Sequence, residues 1–265
     1  MRRYPNLLFH LKCAPIHLTL LYLHGFLGGQ DDWLEVSELM GGQYGHLRID
    51  LPGHNARAGF LENRYYAWEE LPNLIGELLR SCNLEECTPV GYSLGGRVAL
   101  YLLTRVPELF SRAVIESASP GLRTDDERAQ RRLEDEKLIT QLKTRPLDEF
   151  VDNWYRQPLF DTIQKTGPRF NAMRDRRLKH DPLALVRSLK YMGLGTMPSL
   201  WELLPTIRIP VLFVAGGQDA KYSALARQMA SLCPKGRVAI IPGAGHNVHF
   251  ERPKEFCKAV KGFLR

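Results

Sequence analysis

No Cys-x-x-Cys pair occurs in the chain, and its five cysteines (Cys13, Cys82, Cys87, Cys233 and Cys257) are odd in number and irregular in spacing. That pattern excludes a disulfide framework and the ligand spacing of a zinc finger. It reads instead as free thiols, mostly small buried side chains, in a reducing compartment. No stretch approaches the ~18 consecutive apolar residues of a membrane span. The start, Met1-Arg2-Arg3-Tyr4-Pro5, has the basic character of a signal peptide's first residues. The apolar run after it is broken by His10, Lys12 and His17, and no small-residue cleavage site follows. A cytoplasmic protein without membrane association is expected. RNP-like stretches and blocks of basic residues are lacking too, so nucleic acid is not expected as a partner. The net charge of +7, from 36 basic and 29 acidic residues, is an excess that would favour an anionic small molecule, a nucleic acid or an acidic membrane surface. Internal repeats and low-complexity tracts are absent.

What is present is an ordinary globular composition, 44% hydrophobic and 25% charged over 265 residues, long enough for one substantial core. Residues 18–23 form an apolar run bounded by polar residues and turn glycines, as in a strand buried on both faces of a parallel sheet. Residues 46–50 make a second strand, halted by Pro52-Gly53. Helical spacing over 65–79 is broken early by Pro72, which leaves its first turn in doubt. Strands at 88–90 and 113–116 flank a helix at 94–105. Strand-like runs resume at 209–215 and 238–241, and a helix over 253–264 begins on Pro253. Alternating strands and helices predict an α/β fold with a mostly parallel sheet and helices on both faces. Between them, from Gly121 to Lys190, 16 Lys or Arg stand against 12 Asp or Glu with helical periods and no buried strand. The expected organisation is a core of residues 1–119 and 206–265 interrupted by a helical cap at 120–205.

Gly91-x-Ser93-x-Gly95 lies between a strand and a helix, the context that makes this motif a nucleophile elbow. The turn is so sharp that its neighbours must be small, and it lifts the serine hydroxyl above the sheet edge at a helix N-terminus. As a bare pattern it is weak evidence, since a glycine-rich turn without catalysis has the same sequence. Three further features accompany it. His24-Gly25-Phe26 follows the first strong strand, where the Phe26 amide would supply one oxyanion-hole donor and Leu94, after the serine, the other. Asp219 ends a strand in Gly216-Gly217-Gln218-Asp219, and His246 follows the next strand in Gly243-Ala244-Gly245-His246. Taken singly, Asp219 is also a good helix cap and His246 an ordinary loop histidine. Together the order Ser, Asp, His is the one an α/β-hydrolase fold requires. Such a triad makes serine a nucleophile or a base, so it does not by itself choose between hydrolysis and proton abstraction.

Arg97 sits four residues after Ser93, about one helical turn on, where a guanidinium can grip a carboxylate at the pocket floor or pair with a neighbouring acid. The arginines of the 120–205 segment mostly read as a solvated face interleaved with acids. A few of them directed into the cleft would suit a substrate with several carboxylates better than a lipid ester.

Gly91-Tyr92-Ser93-Leu94-Gly95-Gly96-Arg97, Asp50-Leu51-Pro52-Gly53-His54, Pro120-Gly121-Leu122 and Trp154-Tyr155 with Pro158 and Phe160 carry a family resemblance. So do Asp219-Ala220-Lys221-Tyr222 and Gly245-His246-Asn247-Val248-His249. From about His24 to Pro253 the chain resembles the 2-succinyl-6-hydroxy-2,4-cyclohexadiene-1-carboxylate (SHCHC) synthases of menaquinone biosynthesis. The resemblance implies a lyase. It would eliminate pyruvate from 2-succinyl-5-enolpyruvyl-6-hydroxy-3-cyclohexene-1-carboxylate without metal or organic cofactor, the serine acting as a base. It also implies substrate contacts by Tyr92, Arg97, Trp154 and two cap arginines, matched best by Arg131 and Arg174. An ester, thioester or carbon–carbon hydrolase using the same triad is the competing reading, and a non-catalytic binding protein a further one.

Overall fold

A computed structural model describes residues 2–4, 7–12, 18–54 and 62–265, so Met1, Pro5, Cys13 and His17 lie outside the described residues. In chain order the strands and α-helices are β1 (Arg2–Tyr4), β2 (Leu7–Lys12), β3 (Thr19–Leu23), α1 (Leu34–Met40), β4 (Gly45–Ile49), α2 (Leu71–Ser81), β5 (Cys87–Tyr92) and α3 (Leu94–Arg105). They continue with β6 (Ala113–Glu116), α4 (Asp125–Thr144), α5 (Leu147–Tyr155), α6 (Pro168–Arg177), α7 (Pro182–Met192), β7 (Val211–Gly216), α8 (Ala220–Leu232), β8 (Gly236–Ile241), α9 (Val248–Glu251) and α10 (Pro253–Leu264). The strands form one sheet in the order β1-β2-β4-β3-β5-β6-β7-β8. Pairing is parallel from β4 onward and antiparallel where β2 meets β1 and β4.

Side-chain alternation along the strands builds two cores. Leu21, Leu23, Ile115 and Phe213 point to the face covered by α2, α3 and α8. Leu20, Tyr22, Val114, Leu212 and Val214 point to the other, where Val36 and Met40 of α1 meet Phe256, Val260 and Phe263 of α10. Both faces of the central strands are thus buried, which is why those strands read as continuous apolar runs. A third core lies among α4 to α7, between β6 and β7, where Ile139, Phe150, Tyr155, Met173 and Leu185 pack together with Leu27 of the sheet's edge loops.

Two elements depart from the sequence expectation. The run before residue 18, read as interrupted by polar residues and given no strand, contributes β2 as an antiparallel strand. Phe9 is buried while His10 and Lys12 are exposed. The polar interruptions are the outward face of a one-sided strand. The helix expected over 65–79 begins only at Leu71, because Pro72 suits a first turn and not an interior; 3-10 turns at Asn63–Tyr66 and Trp68–Glu70 precede it. Among the described residues no helix is long and apolar enough to cross a membrane.

Candidate active site

The chain reverses sharply where β5 runs into α3. Ser93, between them, has φ +50° and ψ −106°, a conformation costing on the order of 1–3 kcal/mol for a residue with a side chain. Nothing larger than glycine fits beside it. A Cβ on Gly91 would lie 2.4 Å from the Gly95 carbonyl oxygen, and one on Gly95 would lie 2.0 Å from that of Leu23. The Ser93 amide donates to the Glu116 carbonyl at 2.9 Å. The hydroxyl therefore stands beyond the carboxyl ends of the parallel strands, where open α/β sheets bind their ligands.

Asp219 and His246 reach the same edge from the loops after β7 and β8. His246 Nδ1 is 2.8 Å from Asp219 Oδ2, and its Nε2 is 3.4 Å from Ser93 Oγ. Imidazole and carboxylate are both buried. A proton on Nδ1, donated to Asp219, leaves Nε2 to accept from the serine hydroxyl. Asp219 Oδ1 accepts from the Tyr222 amide at 3.1 Å. One carboxylate thus caps α8 and orients the imidazole, so the two readings of Asp219 coexist. The histidine loop is bracketed by Glu251, whose carboxylate accepts from the Gly245 and Asn247 amides at 3.0 and 3.1 Å. Behind the elbow, Glu116 and His249 form a buried pair at 2.8 Å, with the His249 ring stacked on Trp33 and edged against Tyr92.

Leu94 opens α3, so its amide has no partner within the helix. The Phe26 amide donates to no acceptor among the described residues. Both residues line the space in front of Ser93. The loop bearing Phe26 rests on His24, which is fully buried, its Nδ1 donating to the Gly25 carbonyl at 2.7 Å and its Nε2 accepting from the Leu51 amide at 2.9 Å. Burial pushes the His24 pKa down to about 4, so the imidazole is neutral at physiological pH. Between its ordinary pKa and this lowered one, the unfolded chain takes up a proton that the folded chain refuses. Stability therefore falls with pH across that window, by about 2–3 kcal/mol from this group. Urea unfolding at about pH 7.5 and about pH 4.5 is expected to show the loss. Burial acts in the same sense on His54 and His180 and in the opposite sense on Asp50, raised to about 7, so the comparison is made against His24→Asn. An equal pH dependence in the two proteins would mean that His24 is not held neutral.

The cavity has a volume of about 300 Å³, and among the described residues its wall holds three cations, Arg97, Arg131 and Lys221, and no acid. Arg97 Nη1 donates to the Met192 carbonyl at 3.1 Å and makes no ion pair among the described residues. Desolvation, reinforced by the Arg131 charge, lowers its pKa to about 10, which leaves it protonated at neutral pH. Arg131, on α4, pairs with the buried Asp135 at 2.8 Å and lines the cavity. Trp154 lines it too, its ring 5.0 Å from that of Phe26, and Tyr92 forms part of the wall beside Ser93. Arg174 is not brought there. Its guanidinium donates twice to Asp152 of α5, at 2.6 and 3.0 Å, and lies outside the cavity wall. Neighbouring helices satisfied it locally, which a cationic residue on a polar helix face does not reveal in sequence. Gln157, Tyr222 and Lys221 are wall residues to which the sequence reading gave no role. For Lys221 the signal was its place two residues after Asp219, in the first turn of α8. Among the described residues, no three His, Cys, Asp or Glu side chains are grouped to hold a metal ion.

The model of the alpha/beta hydrolase family matches residues 20–259. A Bacillus subtilis protein provisionally named 2-succinyl-6-hydroxy-2,4-cyclohexadiene-1-carboxylate synthase is 34% identical over 247 residues, covering 93% of this chain and 90% of its own. A Salmonella paratyphi C protein of the same name is 33% identical over 257 residues, 97% of each chain. Among solved structures, MenH from S. aureus superposes with a TM-score of 0.91 at 31% identity, covering 97% of both chains. A thermophilic esterase from Thermogutta terrifontis follows with a TM-score of 0.82, covering 98% of this chain and 93% of its own, but at 18% identity it shares the fold alone.

Proposed function

The chain belongs to the alpha/beta hydrolase family and, within it, to the 2-succinyl-6-hydroxy-2,4-cyclohexadiene-1-carboxylate synthases, and from that premise we propose a lyase acting through Ser93, His246 and Asp219. It eliminates pyruvate from 2-succinyl-5-enolpyruvyl-6-hydroxy-3-cyclohexene-1-carboxylate, a step of menaquinone biosynthesis. The observation that carries the reading is Arg97, which shares the cavity wall with Ser93 and makes no ion pair among the described residues, in a wall whose described residues include three cations and no acid. The substrate bears three carboxylates, on the ring, the succinyl arm and the enolpyruvyl group, and such a wall complements them. Arg97 and Arg131 are the proposed carboxylate partners, and Trp154 and Tyr92 the flat walls against the ring.

In this reading His246 Nε2 takes the Ser93 proton, and the serine oxygen takes the ring proton next to the succinyl ketone. The electron pair moves onto the ketone oxygen, which the Phe26 and Leu94 amides hold as an enolate. The ring C–O bond to the enolpyruvyl group then breaks. The leaving enolate receives the His246 proton and tautomerises to pyruvate, while Ser93 retains the proton taken from the ring. Asp219 keeps the imidazole in the tautomer that starts the cycle and stabilises the imidazolium. No metal or cofactor enters these steps. The same proposal divides the chain into a helical cap of residues 120–205 and a core of 1–119 and 206–265. The buried, unpaired thiols of Cys87, Cys233 and Cys257 support a cytoplasmic location.

The test is a pyruvate-release assay on the enolpyruvyl substrate, generated in place by the preceding enzyme, with p-nitrophenyl esters run in parallel. Release well above the spontaneous rate with weak ester cleavage is the expected outcome. Strong ester cleavage with no acceleration of pyruvate release would make the protein a hydrolase.

A further inference from the structure

The turn bearing Phe26 is short and strained. Leu27 is fully buried with φ +61°, a left-handed backbone that a branched residue adopts only when its surroundings impose it. The Gly28 amide closes the turn onto the Gly25 carbonyl at 2.9 Å. What imposes this shape comes from α6 and the residues just after it, some 150 positions along the chain. Asp32, one turn beyond Gly28, receives Nη1 and Nη2 of Arg177 at 2.7 Å each, one on each oxygen, and Nη2 of Arg176 at 3.2 Å. Its Oδ2 also accepts from the Gly29 amide at 3.3 Å. Arg177 Nε donates to the Tyr155 hydroxyl at 3.1 Å, which ties the pair to α5, the helix that carries Trp154. His180 Nε2 donates to the Leu27 carbonyl at 2.9 Å, on the strained residue itself. The ion pair is enclosed, with the Arg177 side chain 4% exposed.

We propose that Asp32 and Arg177 form a positioning clamp that fixes the Phe26 amide, on the sheet side of the cavity, in register with Trp154 on the other. The inference rests on the proposed oxyanion role of that amide. Arg177 is a cap arginine like those expected to meet substrate, but its bidentate bond and its absence from the cavity wall assign it to Asp32 instead. Enclosure suits it to this task, since a charge pair out of water is screened little and its two-pronged geometry allows one orientation. A second contact between α6 and the sheet layer differs in kind. Arg169 meets Glu35 at the surface, with both side chains about half exposed (47% and 51%), so it joins the same two layers without fixing the turn.

The experiment compares Asp32→Asn, Arg177→Met, the double variant and Arg177→Lys with wild type, and uses Arg169→Ala as the control. Three readouts are taken well below each variant's melting temperature. They are kcat and KM for pyruvate release, the melting temperature itself, and the rate at which an alkyl fluorophosphonate phosphonylates Ser93 with loss of fluoride. That last rate needs the serine, the imidazole and the oxyanion donors but not the lyase substrate. The clamp predicts a fall of at least tenfold in kcat and in the phosphonylation rate, with KM changed less than threefold. Arg177→Lys is expected to recover part of the loss, the double variant to be no worse than either single one, and Arg169→Ala to match wild type. If Asp32→Asn does not fold, Arg177→Lys and Arg177→Met still decide the matter. A lowered melting temperature with kcat and phosphonylation within twofold of wild type would overturn the clamp. So would an equal loss in Arg169→Ala. Wild-type protein that releases no pyruvate, with variants that still show the predicted losses in phosphonylation, would remove the lyase reading and leave the clamp standing.

Discussion

Replacing Ser93 by alanine is expected to lower kcat for pyruvate release about a thousandfold while KM stays within a few-fold of wild type, as follows from deleting the group that takes the proton. The elbow geometry survives the change. The positive φ belongs to the backbone, alanine meets no new neighbour, and the Ser93 amide keeps its bond to the Glu116 carbonyl. The carboxylate-binding cations are untouched, so substrate still binds. What vanishes is the oxygen lying 3.4 Å from His246 Nε2. In the proposed mechanism the imidazole does not take over directly, since Asp219 holds its ring facing the serine. His246→Ala is expected to lose about as much, and the double variant little more, because residues working as one proton path are not additive. Stopped-flow pyruvate detection on variants with unchanged melting temperature makes the measurement. A Ser93→Ala enzyme within tenfold of wild type would take Ser93 out of the proton transfer and leave His246 as the base.

The sequence makes legible whatever short-range sterics dictate. Gly91 and Gly95 announce the elbow because a Cβ at either position would collide with backbone, and that collision is the same in any protein with this turn. The doubly buried strands were legible from their unbroken apolar runs, and the helix at Pro253–Leu264 from its proline start. The strand at Leu7–Lys12 was missed because its polar side chains face outward, and alternation over six residues looks like interruption. The charges of the helical segment were hardest. Arg131 lies on a helix dense in both signs with Asp135 four residues on, whereas Arg174 and Arg177 share a helix of four arginines and one acid, so spacing names no partner for them within it. Arg131 keeps its own-helix partner and still reaches the cavity, Arg174 is absorbed by α5, and Arg177 is drawn to Asp32, 145 positions away. Only packing decides among these, through which side chain is sealed from water beside which acid. Arg97 was the exception, since its place one turn after the elbow fixes its direction before any tertiary contact is known.

That exception gives the second large effect. Arg97→Ala is expected to lower kcat/KM for pyruvate release by roughly 30- to 150-fold, the equivalent of losing a charge-assisted contact of about 2–3 kcal/mol. The guanidinium carries its charge in a desolvated setting, with one bond to the Met192 carbonyl and a second cation, Arg131, acting on it unfavourably. Such a group is held at some cost in the empty protein, and a substrate carboxylate relieves it. The variant's stability should therefore be unchanged or slightly raised, which separates loss of a ligand contact from loss of a structural one. Arg97→Lys keeps the charge but not the planar fork, and an intermediate loss is expected. Steady-state kinetics on the enolpyruvyl substrate, paired with thermal unfolding, decides between the two roles. A kcat/KM equal to wild type together with a lowered melting temperature would mean that Arg97 serves only to hold the Met192 carbonyl against α3. The substrate's carboxylates would then fall to Arg131 and Lys221, the other cations among the described wall residues.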